Sequence, residues 1–260
     1  MTNNYKQVEQ QFGSVAASYL TSTVHAQGED LQFAAGLVSS DATVLDVGCG
    51  AGHLSFALAP HAASVIAYDL SDGMLTTVEQ EATKRKLQNL HVHKGYAETL
   101  PFAAKTFDVV CTRLSAHHWA NVPAALAEMQ RVLKPGGRVI VIDVVSNTDP
   151  LIDTHLQAIE LIRDPSHVRD YTVTEWTGFL KQTGFAMDTG KNWRIEIDFA
   201  SWVARMRTPP AHAELIHHLF ANAPASVKKA LQIGSDDSFY IDVHLFTGHR
   251  PSQELHYGRN

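Results

Sequence analysis

The sequence lacks most of what marks a secreted, membrane-bound or nucleic-acid-binding chain. Two cysteines among 260 residues, Cys49 and Cys111, provide no disulfide framework, and both read as small packing residues. No apolar run is long enough to cross a bilayer, and Met1-Thr-Asn-Asn-Tyr-Lys-Gln-Val-Glu-Gln10 lacks the apolar centre of a signal peptide. A cytoplasmic protein without membrane partners is the expectation. Positive charge is in deficit: 21 Lys and Arg stand against 27 Asp and Glu, a net charge of -6, so long-range attraction to polyanions is missing and nucleic acid is not an expected partner. Internal repeats and low-complexity segments are absent. So are Cys-x-x-Cys and His-Glu-x-x-His spacings, which leaves the 15 histidines, His91, His93, His217 and His218 among them, without a metal site to complete.

What is present is an ordinary globular composition, 45% hydrophobic, in a length that suits one large domain carrying additions. Short apolar runs at 43–47, 64–68, 90–92, 107–112 and 138–145 read as strands, and amphipathic stretches separate them. This alternation is the signature of an α/β fold with a parallel sheet and helical crossovers. Ser71 is placed to cap a helix that presents Met74, Leu75 and Val78 on one face, and Pro123 sits in the first turn of another. Leu133-Lys-Pro-Gly-Gly137 ends that second helix and turns the chain into the strand that follows. Residues 5–40 read as a helical flank or lid. After 148 the alternation gives way to helix over 149–184, where Thr172-Val-Thr-Glu175 has the capping-box form, then to a strand at 193–198. A helical block follows at 200–233, broken at Pro209-Pro210 and Pro224, then a last apolar run at 239–246 and a polar tail. The expected organisation is a flank (1–40), a nucleotide-cradling core (41–148), a helical cap (149–184), completion of the sheet (185–248) and a tail (249–260).

The densest signal is Val44-Leu-Asp-Val-Gly-Cys-Gly-Ala-Gly-His53. A strand runs into a turn with glycine at alternate positions, where the missing Cβ atoms let a ligand approach the backbone. A Gly-x-Gly-x-x-Gly dinucleotide loop opening at Gly48 requires a third glycine at position 53, which is His53. Asp46, just ahead of the loop, would repel a pyrophosphate and favour an amino-bearing cation. S-adenosylmethionine combines an adenosine, an ammonium and a sulfonium with no phosphate, and meets these demands better than NAD. The second strand ends at Asp69, suited to paired ribose hydroxyls, and Gly95-Tyr-Ala-Glu98 follows the third strand at the height of an adenine.

Residues 44–53, Asp69, Gly95 to Glu98, Phe107 to Thr112 and Leu133-Lys-Pro-Gly-Gly-Arg-Val-Ile-Val-Ile-Asp143 resemble, in order, the successive motifs of class I S-adenosylmethionine-dependent methyltransferases. Within that class the chain is similar to the ubiquinone/menaquinone-biosynthesis type. It is more similar to small bacterial methyltransferases of the type 11 group that carry Ala-His-His and Arg-Asp-x-Ser-His-Val-Arg, here Ala116-His117-His118 and Arg163-Asp-Pro-Ser-His-Val-Arg169. The Tyr-Asp-x-Met-Asn element of the quinone enzymes is replaced by Ala17-Ser-Tyr-Leu-Thr-Ser22, so a quinone acceptor is not implied. The resemblance implies a Rossmann-like, seven-stranded, mostly parallel sheet with an antiparallel last strand, helices on both faces and helical cap insertions. It implies that S-adenosylmethionine lies against Asp46, Gly48, Cys49, Gly50, Gly52, Asp69, Leu70, Met74, Tyr96, Ala97, Glu98, Arg113, Leu114 and His117, with Phe12 and Tyr19 closing over it.

Methyl transfer from a sulfonium is an in-line displacement, so orientation and exclusion of water matter more than a catalytic triad. His117, His118 and His167 are the candidates for a general base toward an oxygen or carbon acceptor; each can instead hydrogen-bond its loop and shape the donor pocket. Arg163, His167 and Arg169, with Trp202, Arg205 and Arg207 as a second wall, are the candidates for holding a small-molecule acceptor, against the alternative that they fasten the cap to the sheet. The expected activity is transfer of a methyl group to that acceptor, leaving S-adenosylhomocysteine. A donor-binding sensor without catalysis is the rival from another class, and a nicotinamide oxidoreductase is disfavoured by His53. A homodimer is compatible with the sequence but not specified by it.

Overall fold

The apolar runs form one eight-stranded sheet in the computed structural model, which describes residues 3–13, 15–22, 26 and 28–252. The strands are β1 (Thr43–Val47), β2 (Ser64–Asp69), β3 (Leu90–Lys94), β4 (Phe107–Arg113), β5 (Leu133–Val145), β6 (Ala186–Met187), β7 (Lys191–Ile197) and β8 (Phe239–His249). Their order is β3-β2-β1-β4-β5-β8-β6, and β7 also pairs with β8. The first five run parallel; β8 is antiparallel to β5 on one side and to β6 and β7 on the other.

Both faces of the sheet are covered, as buried parallel strands require. Val44, Val65, Val109 and Ile140 point into one core, and their neighbours Leu45, Val110, Val139 and Val141 into the other. The helices are α1 (Asn3–Gly13), α2 (Ala16–Leu20), α3 (Glu29–Ala35), α4 (His53–Leu58), α5 (Asp72–Arg85), α6 (Val122–Val132), α7 (Pro150–Arg163), α8 (Val173–Gln182), α9 (Phe199–Arg205), α10 (Pro210–Ala221) and α11 (Ala225–Leu231). Ser71 accepts the Met74 N–H at the start of α5, and Met74, Leu75 and Val78 are buried. Thr172 and Glu175 form the reciprocal capping box of α8. Among the described residues no helix is long and apolar enough to cross a membrane.

Four local readings need correction. Among the described residues, 5–40 are not one helical block: α1 ends at Gly13, Thr21 and Ser22 lie outside helix, and α3 starts after Gly28. β5 begins at Leu133 rather than 138: Leu133 pairs with Phe107 and Arg138 with Val109, so residues 134–137 bulge out of the ladder instead of preceding it. The sheet has eight strands rather than seven, because the two-residue β6 is too short to show periodicity. β8 continues to His249, past the end of the apolar run at 239–246, and Arg250 then donates to the carbonyls of Gln130 and Leu133.

Candidate active site

The strand order reverses between β1 and β4, and in an open α/β sheet that switch point is where ligands bind. A cavity enclosing about 940 Å³, part of it open to solvent, lies at the carboxyl ends of β1, β2 and β4 there. The glycine turn after β1 forms its floor. Gly48 N–H and Cys49 N–H donate to the Tyr68 carbonyl (2.7 and 3.1 Å), and Gly50 N–H donates to Asp69 Oδ2 (2.9 Å). Gly48 has φ +69°, and a Cβ on it would sit 1.9 Å from Ser115 Oγ, so only glycine fits.

Three carboxylates face this cavity, and two carry an oxygen with no partner. Asp46 is fully buried; Oδ2 accepts from Ser55 Oγ at 2.6 Å, while Oδ1 has no hydrogen-bond partner among the described residues. Burial, reinforced by the Asp69 charge, raises its pKa to about 7. Glu98 accepts from Asn121 N–H at Oε1 (3.2 Å), while its buried Oε2 has no hydrogen-bond partner among the described residues. Asp69 accepts from Gly50 N and Ser71 N, which only partly offset the upward push of burial on its pKa. Unpaired buried carboxylate oxygens are costly, and a ligand bearing an ammonium and N–H or O–H donors would satisfy them. Tyr5 covers the Glu98 end, its ring centroid 4.7 Å from that of Tyr96; burial, then the neighbouring Glu98 carboxylate, raises the Tyr5 pKa.

Of the residues singled out for the donor, Phe12, Tyr19, Asp46, Gly48, Cys49, Gly50, Asp69, Leu70, Met74, Ala97, Glu98, Arg113 and Leu114 line this cavity. Gly52, Tyr96 and His117 do not. Gly52 instead N-caps α4 in the left-handed region (φ +89°), where a Cβ would meet Phe56 and Val78 at 2.9 Å. Tyr96 backs Tyr5, and His117 is tied to Asp143. Gly95, of the stretch placed at the height of the adenine, lines it too, and sequence reasoning missed Tyr5, Val8, Ala51, His53, Leu54, Tyr68, Ser115 and Trp119. Arg113, buried at the end of β4, is paired with Asp30 of α3.

The candidate bases divide. His118 borders the cavity, its ring 4.8 Å from Phe12, but both nitrogens face the turn after α7: Nδ1 lies 3.2 Å from the Ser166 carbonyl and 3.4 Å from Ser166 Oγ, and Nε2 lies 4.0 Å from Asp164 Oδ2, beyond hydrogen-bond distance. His167 lies away from the cavity, buried, with Nε2 3.0 Å from Gln157 Oε1. The acceptor candidates also lie outside this cavity. Arg163 stacks on Trp202, Arg169 pairs with Asp153 (3.0 Å), and Trp202 is core against Phe239. Arg205 lies behind Tyr19. Among the described residues no group of three or more His, Cys, Asp or Glu converges as a metal site would.

His117 Nδ1 lies 2.6 Å from Asp143 Oδ1, and its carbonyl accepts from Val168 and Arg169, joining this loop to the cap. Burial disfavours its cation, but Asp143, then Asp170 and Glu160, outweigh this and raise the pKa to about 9; burial, then the His117 charge, lowers that of His118 to about 4 and His167 to about 2. His117 is therefore a cation at neutral pH flanked by two neutral rings. Since its folded pKa exceeds the unfolded value of about 6.5, the stability it contributes is full below about pH 6.5 and is lost as pH rises through about 9. Urea midpoints measured across that window should fall in the wild type and flatten in Asp143→Asn, whose His117 ring should titrate lower by NMR.

Comparison with known proteins agrees with this architecture. Residues 45–141 match the model of a methyltransferase domain family. The uncharacterized protein YafE of Escherichia coli (strain K12) is 42% identical over 76% of this chain and 96% of its own length. The uncharacterized methyltransferase YcgJ of Bacillus subtilis (strain 168) is 34% identical over 81% of this chain and 85% of its own. The crystal structure of YcgJ superposes with a TM-score of 0.83, at 28% identity, over 86% of this chain and 99% of that one. The chain belongs to the class I S-adenosylmethionine-dependent methyltransferases.

Proposed function

We propose that the protein transfers a methyl group from S-adenosylmethionine to an oxygen or carbon of a small-molecule acceptor. The observation that carries this is the pair of buried, unpartnered carboxylate oxygens, Asp46 Oδ1 and Glu98 Oε2, in one cavity with the glycine turn and Asp69. Asp69 would hold the ribose hydroxyls, Glu98 the adenine amino group and Asp46 the ammonium. When bound, the donor supplies an electrophilic methyl group on a cationic sulfur. Phe12, Tyr19 and Trp119 give the cavity aromatic walls, and exclusion of water with alignment of the acceptor is the catalysis this chain provides. His118, with its nitrogens turned to Asp164 and Ser166, shapes the cavity rather than abstracting a proton.

Calorimetric titration with S-adenosylmethionine, S-adenosylhomocysteine and NAD tests the reading: the first two should bind and NAD should not, while binding of NAD alone would overturn it. Transfer of a labelled methyl group to a metabolite separates the enzyme from a donor-binding sensor. Asp46 also predicts a pH dependence. The donor's ammonium favours the ionised carboxylate, so affinity should rise with pH through about 7, being roughly tenfold weaker at about pH 6 than at about pH 7.5. Asp46→Asn should abolish that dependence, and an unchanged slope in the variant would remove Asp46 from the ammonium site.

A further inference from the structure

The loop that leaves β4 carries two side-chain hydrogen-bond donors, Ser115 Oγ–H and Trp119 Nε1–H, that have no partner among the described residues. Its path is set by the sheet. β1 and β4 pair in register, Val44 with Val109 through Asp46 with Cys111, so the chain beyond Arg113 emerges beside the glycine turn. Leu114 there takes the left-handed conformation (φ +49°), which a bulky side chain rarely adopts, and its N–H donates to the Ile142 carbonyl (2.8 Å). Ala116 N–H donates to Asp143 Oδ2 (2.8 Å), which fixes the next turn of the loop to β5. This path brings Ser115 and Trp119 to one place: a Cβ on Gly48 would lie 1.9 Å from Ser115 Oγ and 3.6 Å from Trp119 Nε1.

Both side chains line the donor cavity, Trp119 buried and Ser115 half-buried. Two donors set beside each other on a braced loop call for oxygen acceptors on the bound molecule. The charges around them narrow the choice. Asp46, Asp69 and Glu98 repel an anion, and Arg113, a cation in the lining, is already paired with Asp30. The carboxylate of S-adenosylmethionine shares a carbon with its ammonium, so with the ammonium at Asp46 it comes to rest where β1, the glycine turn and the end of β4 meet. Ser115 and Trp119 stand at that junction as neutral donors for it. A carboxylate also offers two charged oxygens to the two donors, and a hydrogen bond to a charged oxygen is roughly twice as strong as one between neutral groups. That favours the carboxylate over a hydroxyl or carbonyl of the acceptor.

We infer that Ser115 Oγ–H and Trp119 Nε1–H bind the carboxylate of S-adenosylmethionine, and that they make the protein select this donor over adenosyl compounds that carry the ammonium without the carboxylate. This rests on the methyl-transfer reading for the nucleoside in the cavity, and on the two unpartnered donors for the recognition of its carboxylate. Selection here works against the general charge of the site: an acidic cavity by itself favours the decarboxylated compound, whose net charge is more positive.

Calorimetric titration with S-adenosylhomocysteine and with its decarboxylated analogue, S-adenosyl-3-thiopropylamine, tests this. The wild type should bind the first about 100-fold more tightly. Ser115→Ala and Trp119→Phe each remove one donor with little change of shape. Each should weaken S-adenosylhomocysteine about tenfold and leave the analogue within about threefold of its wild-type affinity. Binding of the analogue also reports that each variant is folded. Equal losses for the two ligands in both variants would give Ser115 and Trp119 a packing role and overturn the proposal. Unchanged affinity for S-adenosylhomocysteine in both variants would assign the two donors to the acceptor and overturn it as well. Equal binding of the two ligands by the wild type would sink this assignment and leave the donor reading standing, whereas binding of neither would remove the donor reading and this one with it.

Discussion

Asp69→Ala should weaken S-adenosylhomocysteine binding by at least about 100-fold in calorimetric titration. Hydrogen bonds to a charged acceptor contribute about 1.5–3 kcal/mol each, and two ribose hydroxyls on one carboxylate sum to about 3–6 kcal/mol, or two to four decades in Kd. The loss is compounded because the same carboxylate organises the site before any ligand arrives: Oδ2 fixes Gly50 N–H in the glycine turn, and Oδ1 fixes Ser71 N–H at the start of α5. Asp69→Asn, which keeps one carbonyl oxygen, should fall between the wild type and Ala. An affinity in Asp69→Ala within about threefold of wild type would contradict the ribose assignment.

The largest loss of stability should follow Asp30→Ala. Asp30 on α3 and Arg113 at the end of β4 are both almost wholly buried and form a salt bridge. Removing the acid takes its salt-bridge carboxylate from a buried guanidinium, which in general costs about 3–5 kcal/mol. The lower figure, about 3 kcal/mol, is expected here because Asp46 also lies within reach of the Arg113 charge. The urea midpoint should drop accordingly, and Arg113→Met/Asp30→Leu, which removes both charges, should recover most of it. A double variant as unstable as Asp30→Ala would mean that packing, not charge, dominates at this contact.

How far each feature could be read from the chain depends on the range of the physics behind it. β1 was legible to the residue because Val44, Leu45 and Val47 are buried on both faces of the sheet and a glycine turn follows at once. Asp69 was legible for the same reason: a strand end, a helix cap at Ser71 and a carboxylate between them are encoded within a few residues. Tyr5, Val8 and Trp119 were not, since nothing local tells a helix or loop that it will pack on the mouth of a cavity made by distant strands. Arg163 and Arg169 show the converse difficulty. Their motif announces charge near a pocket, but whether an arginine reaches a ligand or is consumed by Trp202 and Glu160, or by Asp153, is decided by tertiary contacts that sequence spacing does not carry. The 134–137 bulge was hidden by its own Lys-Pro-Gly-Gly composition, which reads as a turn whether or not the flanking Leu133 has already joined the sheet.

The position of β8 governs the order in which this molecule can be made. It is the last strand among the described residues, yet it lies inside the sheet, with β5 on one flank and β6 and β7 on the other. As the polypeptide leaves the ribosome, β1 to β5 find partners among themselves. β6 and β7 emerge with none: β7 stays unpaired until residues 239–245 have been synthesised, and β6 until Gly248 and His249 have. The far edge of the sheet therefore closes in a single late event that bridges more than 90 residues of intervening chain, from Val145 to Phe239, and the loop-closure entropy of that step is met only when the final strand is threaded between its neighbours.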